Sequence, residues 1–302
     1  MIESLKIFSP EIFLSAASLA VLGVDAFYSE RARKLNLWLG FAALVAAGVW
    51  VTVSGDRGRG FGMAVTDDFA VFFKLIAIGG CALVLLISEN DGNLMNRHAG
   101  SYVSLLLMST VGVLFLSSAE DLLMVLIALE LTSLPLFVLV GFTRRDLASS
   151  EGAIKFFLMG AFSAGLMMYG ISLIYGLCGS THFDAVRMWI SVTPDPGSNV
   201  MFILAVLFIL AGLGFKMTLV PFHQWVPDAY QGAPTPVTAF LSAAREGGGI
   251  VVLLRFFGEF ANHSVIGMTR YFAVLSVLTM TVGNLTALRQ DNMKRILAYS
   301  SI

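Results

Sequence analysis

The chain has 302 residues, 57% of them hydrophobic and only 13% charged, with a formal net charge of −1. A soluble domain carries about 25% charged residues, so the composition excludes a soluble globular protein, and the charge balance gives no sign of a nucleic-acid partner. The two cysteines, Cys81 and Cys178, both lie inside apolar runs, which excludes a disulfide framework and leaves them as small core residues.

At roughly 20 residues per membrane crossing plus loops, the length accommodates about nine spans. The fold class expected is therefore all-α, a polytopic membrane helical bundle. In chain order the apolar runs predict spans at Phe8–Tyr28, Leu35–Val53, Phe69–Ile87, Tyr102–Ser118, Leu122–Phe142, Ala153–Leu177, Val200–Val220, Pro236–Phe257 and Ile266–Leu288. Met1–Lys6 is too short and too weakly basic for a cleaved leader, so the first run reads as a signal anchor. Ser54–Gly62 (SGDRGRGFG) and Val192–Ser198 (VTPDPGS) hold turn formers. The first lacks the spacing of a nucleotide-binding loop and reads as a plain loop.

With the N-terminus outside, the inner loops hold nine lysines and arginines and the outer segments five, a bias that favours this orientation. On that topology the AVRMWI segment within His182–Asn199 rests on the outer membrane surface. The final residues, KRILAYSSI (Lys294–Ile302), read as the opening turns of a tenth span, so the chain reads as a fragment, a truncated gene product or one half of a split subunit.

The stretch Gly214–Val237 (GFKMTLVPFHQWVPDAYQGAPTPV) interrupts the apolar pattern with Pro221, Pro227, Pro234 and Pro236. Each proline removes a backbone donor and crowds the preceding turn. A helix that breaks at membrane depth persists only where protein or a watery cavity satisfies the freed groups. Lys216 stands beside this break, and Glu130 sits mid-span, five residues before Pro135. An ionisable residue there costs about 2.5–3.5 kcal/mol on insertion scales and so needs a reason. Glu130 is either a proton-carrying carboxylate or a structural one neutralised by burial. Apposed to Lys216, it would form a pair in which moving either charge alters the other's proton affinity.

Arg245 and Glu246 sit together before Gly247, Gly248 and Gly249. They serve either in a relay or as separately compensated charges on a weakened helix. His223 is either a relay or a brace for irregular backbone. Lys155 is expected to snorkel to the inner surface. Glu11, Asp25 and Asp121, near span ends, are expected to be solvated. Ala161 and Gly165 are expected to mark close helix packing. No metal-ligand spacing is present.

Four stretches then carry a resemblance: Leu129–Phe142, Ala153–Gly176, Phe215–Ser242 (FKMTLVPFHQWVPDAYQGAPTPVTAFLS) and Met293–Ile302. They resemble the antiporter-like subunit N family of bacterial NADH–quinone oxidoreductase, respiratory complex I. The resemblance runs from about Tyr102 to the end, whereas the first three spans match in hydropathy only. It implies an antiporter-like fold of two inverted five-helix repeats, each with a broken helix. Residues 1–100 would then be N-terminal helices, 101–260 the first repeat and 261–302 the start of the second.

The resemblance also implies proton translocation driven by quinone reduction elsewhere in the assembly. No cofactor is expected on this chain, since quinone and NADH are bound by other subunits; its partners are other membrane subunits and the lipid bilayer. Glu130 matches the family's membrane glutamate and Lys216 the lysine of the first broken helix. At the next relay position Glu246 stands where the family has lysine, a reversal of charge beside Arg245, and the family's second-repeat lysine lies beyond Ile302. Alternatives are a subunit of a sodium/proton antiporter or membrane-bound hydrogenase, or a non-pumping scaffold.

Overall fold

The computed structural model describes residues 2–28, 33–55, 57–91, 94, 98–258 and 268–302. Apolar runs become helices because a helix satisfies its own backbone where no water competes. In chain order these are α1 (Ile2–Ile7), α2 (Ser9–Tyr28), α3 (Arg33–Val53), α4 (Asp68–Ser88), α5 (Ala99–Ser118), α6 (Leu122–Val140), α7 (Leu147–Cys178) and α8 (Phe183–Val192). After them come α9 (Val200–Lys216), α10 (Val226–Gly232), α11 (Thr235–Phe257), α12 (Met268–Ala287) and α13 (Met293–Ser300).

Among the described residues seven helices are long and apolar enough to cross a membrane: α2 to α7 and α11. Two expected spans differ. The seventh shortens to the 17-residue α9, because the chain breaks immediately after Lys216. The ninth forms α12, whose described part, Met268–Ala287, is not among the seven; its expected start at Ile266 lies outside the described residues. The sixth starts earlier than expected, at Leu147, where Asp146 accepts from Ala148 N at 3.0 Å as an N-cap.

Helix α6 has no polar face, and α5 and α6 are the most buried of the seven spans. A helix apolar all round belongs inside a bundle, and these two form its axis. They touch backbone to backbone: a Cβ added at Gly112 would lie 2.5 Å from Thr132 N. Ser109 Oγ donates across the same contact to Thr132 O at 2.9 Å.

Close packing on α7 uses a different face from the one expected. Ala161 and Gly165 are exposed, and a Cβ on Gly165 would meet nothing within 4 Å. Instead Gly160 meets Phe137 and Gly170 meets the backbone of α9, where a Cβ would lie 2.7 Å from Ala205 O.

The three carboxylates expected to be solvated are buried. Asp25 accepts from Asn36 Nδ2 at 3.0 Å and Gly100 N at 3.2 Å, tying α2 to α3 and α5. Asp121 caps α6 through Leu123 N and Met124 N and accepts from Thr181 Oγ1 at 2.7 Å. Glu11 is 0% exposed and pairs with Lys74. A span end that turns inward supplies donors a carboxylate can use, so nearness to an end did not mean water. Asp121→Ala should remove this N-cap at a cost of about 1 kcal/mol, seen as a lower thermal midpoint of the purified protein.

The glycine-rich segment read as a loop contains a hairpin. Gly58–Gly60 pairs antiparallel with Ala64–Thr66, turning through Phe61 and Gly62 at φ 52° and 67°. Phe61 stacks on Phe8 at 5.8 Å, and Glu120 N donates to Met63 O at 2.9 Å. The hairpin thereby lies over the ends of α2 and α5.

Candidate functional site

Lys216 is the last residue of α9, and the chain leaves the helix there by a defined route. Leu219 N donates to Gly214 O at 2.8 Å and Thr218 N to Phe215 O at 3.4 Å. That is the paired bonding of a Schellman motif. The residue it places in the left-handed region is Thr218, at φ 58°. A β-branched residue there is strained, commonly by about 1–3 kcal/mol. The surroundings hold it: Thr218 is 0% exposed and its Oγ1 donates to Ser301 O at 3.2 Å.

Neighbouring elements satisfy the backbone that the break frees. Val220 N donates to Thr279 Oγ1 of α12 at 3.2 Å. Lys294 Nζ of α13 donates to Ala233 O at 2.7 Å, and Thr238 Oγ1 donates to Tyr230 O at 3.1 Å. Trp225 stacks on Phe156 of α7 with centroids 4.0 Å apart and rings 13° from parallel. Asp228 gathers charge at the far side of the break, where its carboxylate accepts from Lys155 Nζ at 2.6 Å and Arg295 Nη1 at 2.9 Å. Lys155 therefore does not simply snorkel: it is held between Asp228 and Glu151.

Lys216 is 2% exposed and its Nζ donates to Ser133 Oγ of α6 at 2.8 Å. Ser133 spends its own proton on Leu129 O at 2.6 Å. A hydroxyl has one O–H, so Ser133 can only accept from Lys216. Glu130, half-buried one turn away, is close enough to interact electrostatically with Lys216. Both line one small cavity, about 20 Å³, together with Ser133, Ser163, Gly160 and Gly212. A space of that size with several polar walls accommodates about one water molecule. Ser163 Oγ is buried and has no hydrogen-bond partner among the described residues, which adds a further group able to bind such a water. Pro135, one turn beyond, leaves α6 short of a backbone donor at Leu131 O.

Glu130 and Lys216 are thus brought together across α6 and α9. His223 lies in the break, half-buried, and its Nδ1 is buried with no hydrogen-bond partner among the described residues. Arg245 and Glu246 fall where α11 changes pitch, at the end of a π-helical turn over Leu241–Arg245. Their side chains lie outside the described residues. Sequence reasoning passed over Ser133 and Ser163. Ser133 carried a usable signal: three residues after Glu130, it shares that helix face. Ser163 lies midway between Ala161 and Gly165, on the face that packs inward.

The family profile described as "NADH:quinone oxidoreductase/Mrp antiporter, TM" matches residues 119–302. NADH-quinone oxidoreductase subunit N of Trichlorobacter lovleyi is 39% identical over 301 residues, covering 99% of this chain and 62% of that protein. NADH-quinone oxidoreductase subunit N 2 of Rhizobium meliloti is 40% identical over 300 residues, covering 97% and 61%. The chain therefore spans about three fifths of the length of the curated relatives it matches.

Among solved structures, a chain of respiratory complex I from Thermus thermophilus with bound Aureothin superposes with a TM-score of 0.80 at 31% identity, covering 97% of this chain and 61% of that one. A chain of the membrane-bound sulfane sulfur reductase, an archaeal respiratory membrane complex, gives the same TM-score at 23% identity and shares the fold. With more than half its length matched by that profile, the chain belongs to the NADH:quinone oxidoreductase/Mrp antiporter transmembrane family.

Proposed function

We propose that this chain is a proton-translocating membrane subunit of a bacterial NADH–quinone oxidoreductase, multi-pass in the inner membrane. Redox chemistry takes place on other subunits, which bind NADH and quinone; this chain carries protons and binds neither. The observation that carries the reading is the cavity shared by half-buried Glu130 and by Lys216, a buried lysine at the end of a broken helix. The similarity to relatives named as subunit N supports a respiratory assembly over a stand-alone antiporter.

The chemistry follows from the geometry. Lys216 Nζ gives a proton toward Glu130, directly or through a water in the cavity, and the ion pair becomes an amine and an acid. A second charge arriving near either group shifts the balance, because two charges at short range in a low dielectric interact by kcal/mol amounts. Residues 101–260 make up the repeat that holds this pair, with His223, Arg245 and Glu246 as its onward steps. Glu130→Gln should lower proton translocation about a hundredfold in membrane vesicles oxidising NADH, with the assembled complex still present. Unchanged proton movement by that assembled variant would overturn the proposal.

A further inference from the structure

The wall that α7 presents to Glu130 and Lys216 carries one polar side chain, Ser163, among Gly160, Ala164 and Met167. Ser163 is 1% exposed, and its Oγ makes no hydrogen bond among the described residues. Ser88, Ser117 and Ser133, equally buried, return their hydroxyl proton to the carbonyl one turn back at 2.6–2.8 Å. Ser163 does not, so its O–H and both lone pairs remain for a group in the cavity. A buried hydroxyl without a partner destabilises a fold, and alanine would occupy this position without that penalty.

Packing fixes Ser163 at the cavity wall. On the turn before it, a Cβ on Gly160 would lie 2.5 Å from Phe137 Cζ of α6. On the turn after it, Met167 abuts α9, where a Cβ on Gly212 would lie 2.6 Å from Met167 Cβ. The other polar walls are Glu130, Ser133 and Lys216, and the remaining lining is apolar. Lys216 Nζ donates to Ser133 Oγ, but among the described residues no hydrogen bond reaches the Glu130 carboxylate. A proton therefore has no hydrogen bond to follow from Lys216 to Glu130. One water would supply it: the cavity of about 20 Å³ has room for about one, which calls for about two to four polar partners.

We propose that Ser163 is a positioning residue that holds one water between Lys216 and Glu130, and that the proton passes through this water. The role rests on the translocation proposed above. With Lys216 protonated, one of its N–H bonds breaks as an O–H bond forms on the water. The water gives another of its protons to a Glu130 oxygen, where a second O–H bond forms. Lys216 is left an amine and Glu130 an acid, with the water restored; the reverse path returns the proton. Ser163 Oγ accepts the water's remaining O–H, which keeps the first aimed at Glu130 and a lone pair at Lys216.

The test uses the assembled complex and Ser163→Ala. Two quantities are read at equal rates of NADH oxidation. One is protons moved per electron. The other is the O–H stretching band, in NADH-triggered infrared difference spectra, that shifts in heavy-oxygen water and so belongs to water itself. The parent is expected to show such a band. Ser163→Ala should lose or shift it, with translocation down about two- to tenfold, the worth of one hydrogen bond. That loss is smaller than for Glu130→Gln, because both transferring groups remain. A parent without the band overturns the proposal, as does an assembled Ser163→Ala variant with band and translocation both unchanged. A fall in translocation with the band unmoved makes Ser163 a packing residue, and a lost band with translocation kept takes the water off the path; either result also overturns it. If Ser163→Ala does not assemble, Ser163→Cys takes its place. The thiol keeps the shape but donates weakly, so the band should shift, and an unshifted band overturns the proposal. Lys216→Met runs in parallel. Translocation lost there but kept in Ser163→Ala rejects this bridge alone, whereas translocation kept in both rejects the function proposed for the chain.

Discussion

Lys216→Ala is expected to lower proton translocation about a hundredfold, the low end of what a positioned proton-transfer group contributes. The ammonium is the donor to Ser133 Oγ and the positive partner of Glu130. Without it, the carboxylate has lost the charge that its own protonation answers to. The alanine variant also empties the space of a four-carbon stem, and truncating a long buried side chain costs about 2–5 kcal/mol. Lys216→Met separates the two effects. Methionine fills the same space without a charge, so both variants leave Glu130 without its positive partner and only the alanine also opens a cavity. The expected pattern is equal loss of translocation in both variants, with a higher thermal midpoint for methionine. Proton uptake by vesicles holding the assembled complex, read beside its melting curve, checks both.

Gly112→Ala should be the most damaging conservative change in the bundle axis. Its new Cβ would lie 2.4 Å from Thr132 Oγ1, 2.5 Å from Thr132 N and 2.9 Å from Thr132 Cα. Two of those atoms are backbone and cannot swing away, so α6 has to move. Overpacking of this kind typically costs about 1–3 kcal/mol. The shift also carries function with it, because Thr132 lies between Glu130 and Ser133 on the same turn. A fall in thermal midpoint together with a lower ratio of protons to electrons is expected. Gly165→Ala is the matching control: its Cβ would meet nothing within 4 Å, so it should leave stability unchanged or raise it by up to about 1 kcal/mol.

Much of this was written in the chain. Apolar run length located the spans, and the four prolines between Lys216 and Val237 located the break. Glu130 and Lys216 stood out because an ionisable residue in an apolar run has few structural excuses. Their meeting in one cavity, with Ser133 between them, required the coordinates. Periodicity places a residue on a face, but which face turns inward depends on the neighbouring helix, and α7 shows the consequence. Its small residues recur on more than one stripe, and Gly160 and Gly170 were used rather than Ala161 and Gly165.

Lys74 was passed over, and Glu11 was expected to meet water, for a related reason. Each sits within two turns of a span end, where a charge ordinarily meets water, and the hairpin that seals them came from a segment with no strand pattern. Thr218 in a left-handed conformation was equally illegible. Glycine signals that turn, and here a threonine takes it under the hold of α13.

The central claim is that Glu130 and Lys216 carry protons as one unit, and a double-mutant cycle on proton translocation tests it most directly. Glu130→Gln, Lys216→Met and the double variant are compared as assembled complexes at equal rates of NADH oxidation. Groups that act together lose their contribution once, so the double variant should translocate no less than the worse single variant. A double variant whose loss is the product of the two single losses would mean that the groups work independently, and would contradict the account.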